Sequence, residues 1–169
     1  MRYFSLILIT ALPVLLTPVA RASVMSILPC ESSDITVHDD DHGGQYDGMS
    51  QSGTTLVLHN TGSRACMLQP QPVLTFRDAE HHPMAVERRP VRGMNPVPVL
   101  PPVIVPADRE LLILLRWVSS DAFDGANCIR PATVSLSLRG GTLTLPFDHQ
   151  MCAAKGQIGY YSQSLTGTP

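Results

Sequence analysis

The sequence predicts an all-β fold, an antiparallel immunoglobulin-like β-sandwich with two disulfides. Three observations support this prediction. Short segments of alternating apolar and polar residues recur along the chain, and clusters of turn-forming residues separate them. The chain carries 15 prolines and 12 glycines, and no segment makes a convincing amphipathic helix. Four cysteines complete the pattern of a small disulfide-bonded domain.

The N-terminus has the three parts of a secretory signal peptide. Arg2 supplies a positive charge, and residues 3–19 form an apolar run. Residues 20–22, Ala-Arg-Ala, then have small side chains at the two positions that signal peptidase inspects. A transmembrane anchor is the competing interpretation. It needs about 20 apolar residues, whereas two prolines interrupt this shorter run.

The signal peptide sets the expected domain organisation and location. We predict a signal peptide over residues 1–22, cleaved near Ala22, and a single β-sandwich domain over residues 23–169. Nothing later in the chain is apolar enough to span a bilayer, so the mature protein is predicted to lack a transmembrane segment. The predicted location is periplasmic or secreted.

The cysteines lie in the predicted exported part of the chain, where the environment is oxidising and disulfides persist. Four cysteines allow three pairings. We favour Cys30–Cys66 and Cys128–Cys152, which place one bridge in each half. A zinc site is disfavoured because no two of these cysteines are two to four residues apart.

Strands are predicted over residues 33–38, 54–59, 73–77 and 109–118 from their alternating or continuously apolar patterns. The last of these is apolar on both faces, and helix is the competing interpretation for it. The absence of caps and the β-rich context favour a strand. Its presumed core face consists of Leu111, Ile113, Leu115 and Trp117, and its opposite face carries Leu112 and Leu114.

Residues 132–147 predict a β-hairpin. Two alternating runs flank Gly140-Gly141, a pair that suits a two-residue turn with positive φ at both positions. In that register the apolar residues of the two runs share one face. The predicted partners are Leu138 with Leu143, Leu136 with Leu145, and Val134 with Phe147.

Residues 89–106 are too rich in proline for a central strand, because proline cannot donate to a strand ladder. We predict an extended edge or a polyproline-like connection inside the domain. Four arginines cluster around this segment, either as a solvated loop or as a patch for an acidic partner. They are Arg77, Arg88, Arg89 and Arg92.

Residues 56–81, LVLHNTGSRACMLQPQPVLTFRDAEH, carry a recognisable pattern: a strand, Asn-Thr-Gly, Cys-x-Leu, a proline, and a second strand that ends at an aspartate. This pattern resembles the exported bacterial domain of unknown function 4232. The matching residues are Asn60, Thr61, Gly62, Cys66, Leu68, Pro72 and Asp78. Weaker matches continue in order through Val105-Pro106-Ala107, Trp117, Cys128 and Cys152.

The chain departs from the family pattern at two positions. Ala107 replaces the usual glycine, and Gln71 stands near a customary Gly-Tyr. The signal also lacks the lipoprotein cysteine of many relatives. The resemblance implies a disulfide-bonded β-sandwich in the envelope or outside the cell. It implies no activity, because no catalytic or ligand residues are established for the family.

The motif VHDDDHGGQ, residues 37–45, suggests a divalent metal site formed by His38, Asp40 and His42. Along an extended strand His38 and His42 would be about 13 Å apart, so all three could meet one ion only if the chain curled. Two ligands with water, or one more from His81 or His82, is a further possibility. The simpler interpretation is a solvated acidic loop. His81 and His82 themselves are predicted to lie in a turn.

Binding or scaffolding in the bacterial cell envelope, without enzymatic activity, is the predicted function. No nucleophile elbow, phosphate loop or dinucleotide fingerprint occurs, and all cysteines are assigned to disulfides. No cofactor is predicted. Nucleic acid is a poor candidate ligand, because the net charge is −2 and the only lysine is Lys155.

The predicted partner-binding residues are Leu112 and Leu114, which either form an apolar patch for another envelope protein or are covered by the proline-rich segment. The alternative function is that of a periplasmic copper or zinc binding protein that uses His38, Asp40 and His42.

Overall fold

The computed structural model describes residues 26–90, 99–122 and 124–166. The predicted signal peptide lies outside the described residues, as does the middle of the proline-rich segment. The described part is all-β and contains a 3₁₀ turn, His42–Gly44, in its first long loop. No helix in the described ranges is long and apolar enough to cross a membrane.

The strands of the described part follow one another in this order: β1 Ile35–Asp40, β2 Gln51–Asn60, β3 Cys66–Leu68, β4 Leu74–Arg77, β5 Pro83–Met84, β6 Val86–Arg89, β7 Val103–Val105, β8 Glu110–Val118, β9 Asn127–Ile129, β10 Thr133–Leu138, β11 Gly141–Pro146, β12 Met151–Ala153 and β13 Gly159–Thr166. A five-stranded sheet has the order β1-β2-β8-β13-β6, and a four-stranded sheet has the order β11-β10-β4-β5. Two small sheets pair β12 with β9 and β3 with β7. The named strands pair antiparallel except β6, which runs parallel to β13.

The two larger sheets contribute to one hydrophobic core. The predicted core face of β8 is buried throughout, from Leu111 to Trp117. Aromatic rings join the sheets: Trp117 contacts Phe147 at a centroid distance of 5.4 Å, and Phe76 contacts Tyr161 at 5.3 Å. Offset and edge-to-face ring contacts of this kind stabilise a core beyond the burial of their area.

The β10–β11 hairpin exists, but its predicted register is wrong by two residues. Leu138 pairs with Gly141, Leu136 with Leu143, and Val134 with Leu145. The turn is therefore Arg139–Gly140, and of the two glycines only Gly140 has positive φ. A shift of two residues keeps every side chain on its predicted face, because the side-chain period of a strand is two.

The N-terminal segment explains this register. The Ser32 amide donates to the Arg139 carbonyl at 2.8 Å, and the Arg139 guanidinium pairs with the Glu31 carboxylate at 3.0 Å. A Cβ atom on Gly141 would lie 2.7 Å from the Ser32 hydroxyl oxygen. Gly141 is therefore required for close approach of this segment, not for an unusual backbone angle.

The sequence patterns missed β13, although it lies between β8 and β6 in the five-stranded sheet. Its inward residues include Gln163, which is buried and donates to the Pro72 carbonyl at 3.2 Å. A glutamine at a core position breaks the apolar alternation by which a strand is recognised. The short strands β3, β5, β6, β9 and β12 were not predicted either.

Both favoured disulfides are present, Cys30–Cys66 and Cys128–Cys152. The first joins the segment before β1 to β3. The second joins residues that are directly opposed in the β9–β12 pair. The turn predicted at His81 and His82 is also confirmed, since the His82 amide donates to the Asp78 carboxylate between β4 and β5.

The buried side chain of Asn60 holds three parts of the chain together at the end of β2. Its amide nitrogen lies 2.9 to 3.1 Å from the carbonyl oxygens of Arg64, Val105 and Pro106. Its side-chain oxygen accepts from the Gly62 amide at 3.0 Å. Its backbone bonds to the turn before β8, through the Arg109 carbonyl and the Asp108 amide.

We expect Asn60→Ala to lower the free energy of unfolding by about 3 kcal/mol, because one buried and two partly buried carbonyl groups would lose their donor. Urea unfolding followed by circular dichroism measures this change. Asn127→Ala is the matched control, since the exposed Asn127 side chain makes one bond to the Gln157 carbonyl. Asn127→Ala should lower the free energy of unfolding by about 0.5–1 kcal/mol. Equal losses in the two variants would contradict the role of Asn60.

We expect the protein to lose stability above about pH 10 through Tyr161. Burial raises the pKa of this phenol from its ordinary value of 10.0, and the charge of Arg88 opposes the increase. The unfolded chain therefore ionises Tyr161 first, so its contribution is complete below pH 10 and is lost as pH rises through the raised pKa. Urea unfolding across this range should show a shallower loss for Tyr161→Phe than for wild type. A shared slope in the wild type and Tyr161→Phe would disprove the assignment.

Candidate functional site

The strand register places two of the predicted metal residues, His38 and Asp40, on one surface with the predicted partner residues. We call it the outer face: the side of the five-stranded sheet turned away from the core. His38 opposes Val57, which in turn opposes Leu112. One row along, Asp40, Thr55 and Leu114 are aligned in the same way. Residues opposed across neighbouring strands share a face, so separate sequence signals converge here.

The metal hypothesis receives no geometric support from these residues. Asp40 and His42 contact each other, with 3.3 Å between the His42 Nδ1 atom and a carboxylate oxygen. His38 is exposed further along β1. Throughout the described ranges, no group of three or more histidine, cysteine, aspartate or glutamate side chains is arranged to hold a metal ion.

Leu112 and Leu114 are half-buried on the outer face. Between them and β1 lie the buried side chains of Val57 and Thr55. The Thr55 hydroxyl also lies 3.1 Å from the Tyr46 hydroxyl, so the loop after β1 folds over this part of the sheet. The outer face therefore has an apolar centre with polar groups at its margins. The role of the two leucines in binding stays a prediction.

A row of four residues crosses the outer face beside the leucines, and we call it the arginine row: Gly53, Arg116, Ser162 and Arg89. The pairings of β2 with β8, β8 with β13, and β13 with β6 align them. The arginines are two strands apart, which corresponds to about 10 Å between their backbones. The row therefore brings two guanidinium groups to the same side of the sheet.

The arginine row borders a cavity of about 560 Å³, which we call the arginine cavity. Both guanidinium groups contact aromatic rings: Arg89 lies 4.0 Å from the centre of the Tyr160 ring, and Arg116 lies 5.5 Å from that of Tyr46. Arg89 also pairs with the Glu87 carboxylate at 3.0 Å. The remaining lining includes the polar residues Ser50, Gln51 and Ser162.

Two other arginines of the predicted cluster, Arg77 and Arg88, have structural partners. Arg77 donates to the His81 carbonyl at 2.7 Å, and Arg88 donates to the Gln71 carbonyl at 2.9 Å. Arg92 lies outside the described residues. Arg89, by contrast, lines the arginine cavity together with Arg116, which the sequence did not single out.

A second polar cluster, which sequence reasoning missed, lies on the inner side of the sheet. The Asp39 carboxylate accepts from Thr54 and lies 3.0 Å from the His149 Nε2 atom. The His149 ring also contacts Trp117 and Phe147, at centroid distances of 5.2 and 4.9 Å. The sequence signal that could have revealed this cluster was Asp39, which is two residues after the inward-facing Val37 and so shares its face. We interpret this cluster as structural, since it ties β1 to the segment after β11.

The comparisons with known proteins give one match. The family model described as Domain of unknown function (DUF4232) matches residues 30–166. The chain belongs to this family. Neither a curated protein nor a solved structure matches the chain.

The DUF4232 match covers the described strands and both disulfides, and it confirms the resemblance seen at residues 56–81. The structure explains why that segment is distinctive. Asn60 is the buried side chain that joins β2, the loop before β3 and the turn before β8. Cys66 forms the first disulfide, and Asp78 accepts the His82 amide in the turn after β4. The recognisable residues thus have structural roles.

We expect calorimetric titration with zinc or copper(II) to show no binding tighter than about millimolar, because Asp40 and His42 supply only two neighbouring ligands. His38→Ala and His42→Ala should give the same titration as the wild type. Micromolar binding that both substitutions abolish would restore the metal hypothesis.

Proposed function

We propose that the protein is an exported, non-enzymatic binding or scaffolding domain of the bacterial cell envelope, and that its partner docks on the outer face. One observation carries the proposal: a single surface combines half-buried leucines with two arginines beside a cavity. Protein interfaces commonly combine an apolar centre with a charged or polar margin. The partner is an envelope protein with acidic residues, because the cations at this margin are arginines.

The proposed location is periplasmic or secreted, after cleavage of the signal peptide near Ala22. The two disulfides support it, since such bonds persist in oxidising compartments and are rare in the cytosol. Within this proposal the fold is an immunoglobulin-like β-sandwich. The shared core of the two larger sheets supports that assignment, as does the position of Trp117 within the core.

We expect substitution of Leu114 to remove the partner. The immobilised mature protein should retain a specific envelope protein that mass spectrometry identifies and that binds again when purified. Leu114→Asp should weaken direct binding by at least about tenfold, because it places a charge in the apolar centre. Leu114→Ala should weaken it by a smaller factor.

Thr36→Asp is the matched control, since Thr36 is an exposed residue of β1 on the same face. It should bind like the wild type. Circular dichroism shows whether each variant folds, and Leu114→Ala decides the question if Leu114→Asp unfolds. Unchanged affinity in folded Leu114 variants would refute docking at this surface.

A further inference from the structure

We propose that the arginine cavity binds a carboxylate side chain of the partner, presented by an extended segment with the pattern acidic-x-apolar-x-apolar. This inference rests on the proposed function and names the partner's chemistry. The carboxylate would lie between Arg116 and Arg89, and the two apolar side chains would contact Leu114 and Leu112.

The first argument is the charge of Arg116. Within the described ranges no carboxylate lies at salt-bridge distance from its guanidinium. The guanidinium lies above the Tyr46 ring, and a cation above a ring keeps donors free for an anion. Glu87 contacts only the Nε atom of Arg89, so the terminal nitrogens of Arg89 remain for a second carboxylate. The cavity therefore has an unbalanced cation.

The second argument is the way in which Gly53 positions Arg116. Gly53 is a buried residue in the interior of β2, where glycine ordinarily weakens a strand. A Cβ atom at this position would lie 2.6 Å from Arg116 Cδ and 2.6 Å from the Leu115 carbonyl oxygen. The glycine thus makes room for the arginine stem to lie across the neighbouring strand. An arginine held in this way loses less side-chain entropy when it binds an anion.

The third argument is spacing. Arg116, Leu114 and Leu112 point to the same side of β8 and follow one another at about 6.8 Å. Alternate side chains of an extended segment repeat at the same distance, so one segment laid along β8 can address all three. The planar guanidinium fork matches the two oxygens of a carboxylate. Together these distances predict the order acidic, apolar, apolar on one side of the bound segment.

The test uses synthetic peptides that contain Glu-Ser-Val-Ser-Leu within a Gly-Ser flank. The comparison peptides replace Glu with Gln or move Glu by one position. Fluorescence anisotropy at low and high salt should show binding of the first peptide and about tenfold weaker binding of the other two, since a lost charged hydrogen bond costs roughly that factor. Sodium acetate and inorganic phosphate, titrated as competitors, test whether a free anion suffices.

Arg116→Gln should weaken binding of the Glu peptide about tenfold and reduce its salt dependence, whereas Arg116→Lys should weaken it less. Arg64→Gln is the matched control, because it removes the same charge from an exposed arginine in the loop before β3. Its affinity should stay within about twofold of the wild type. Equal affinity for the Glu and Gln peptides, or unchanged affinity in folded Arg116→Gln, would overturn the inference.

Acetate or phosphate that competes for the cavity at the same concentration as the Glu peptide would also overturn the inference. The apolar positions of the peptide would then contribute nothing to its affinity. The outcome for the proposed function is separate. If binding of the partner requires Leu114 but is unchanged in Arg116→Gln, this inference is wrong, and docking at the outer face is still supported. If Leu114 variants retain the envelope partner, docking of that partner on the outer face is refuted, and peptide binding that depends on Arg116 then shows only that the cavity accepts a carboxylate.

Discussion

The arrangement of the strands depends on the hydrogen bonds that the side-chain amide of Asn60 makes. This residue is buried where β2 ends, and its side chain and backbone together reach the loop before β3 and the turn between β7 and β8. The Val105 carbonyl is buried at this junction, so it needs a protein donor. One side chain with both donor and acceptor atoms meets this need. The first disulfide, at Cys66, lies a few residues further along the same loop.

The alignment of β1, β2 and β8 follows from this junction and creates the candidate site. Once β2 and β8 are in register, inward residues such as Leu56 and Ile113 pair in the core, and outward residues such as Val57 and Leu112 pair on the outer face. A slip of one residue would exchange the two sets. The core thus determines which residues form the outer face, because a shift of one residue would expose leucines and bury charges.

The five-stranded sheet also shows how the protein accommodates polar side chains on both sides. On the inner side, Asp39, Thr54 and His149 bond to one another beside aromatic rings, which reduces the cost of placing a carboxylate near the core. On the outer side, Gly53 leaves room for the stem of Arg116, whose charge faces a cavity. The inner group connects two parts of the fold, whereas Arg116 of the outer group lines a cavity. This difference supports the proposal that a partner docks on the outer face.

The sequence alone determined the all-β class, the family, and the strands β1, β2, β4, β8, β10 and β11. Each of these depends on local alternation or on a short motif such as Asn-Thr-Gly followed by Cys-x-Leu. Among the three possible disulfide pairings the sequence only favoured one, and the structure contains that pairing. Tertiary structure decided the hairpin register, since Glu31 and Ser32 pack on the turn and shift it by two residues. Tertiary structure also decided the place of β13. The buried Gln163 interrupts the apolar alternation of this strand, so the sequence pattern does not reveal it. Above all, tertiary structure brought Arg116 and Arg89 into one row, although they are far apart in sequence. Strand order is set by contacts between distant segments, and no local pattern contains that information.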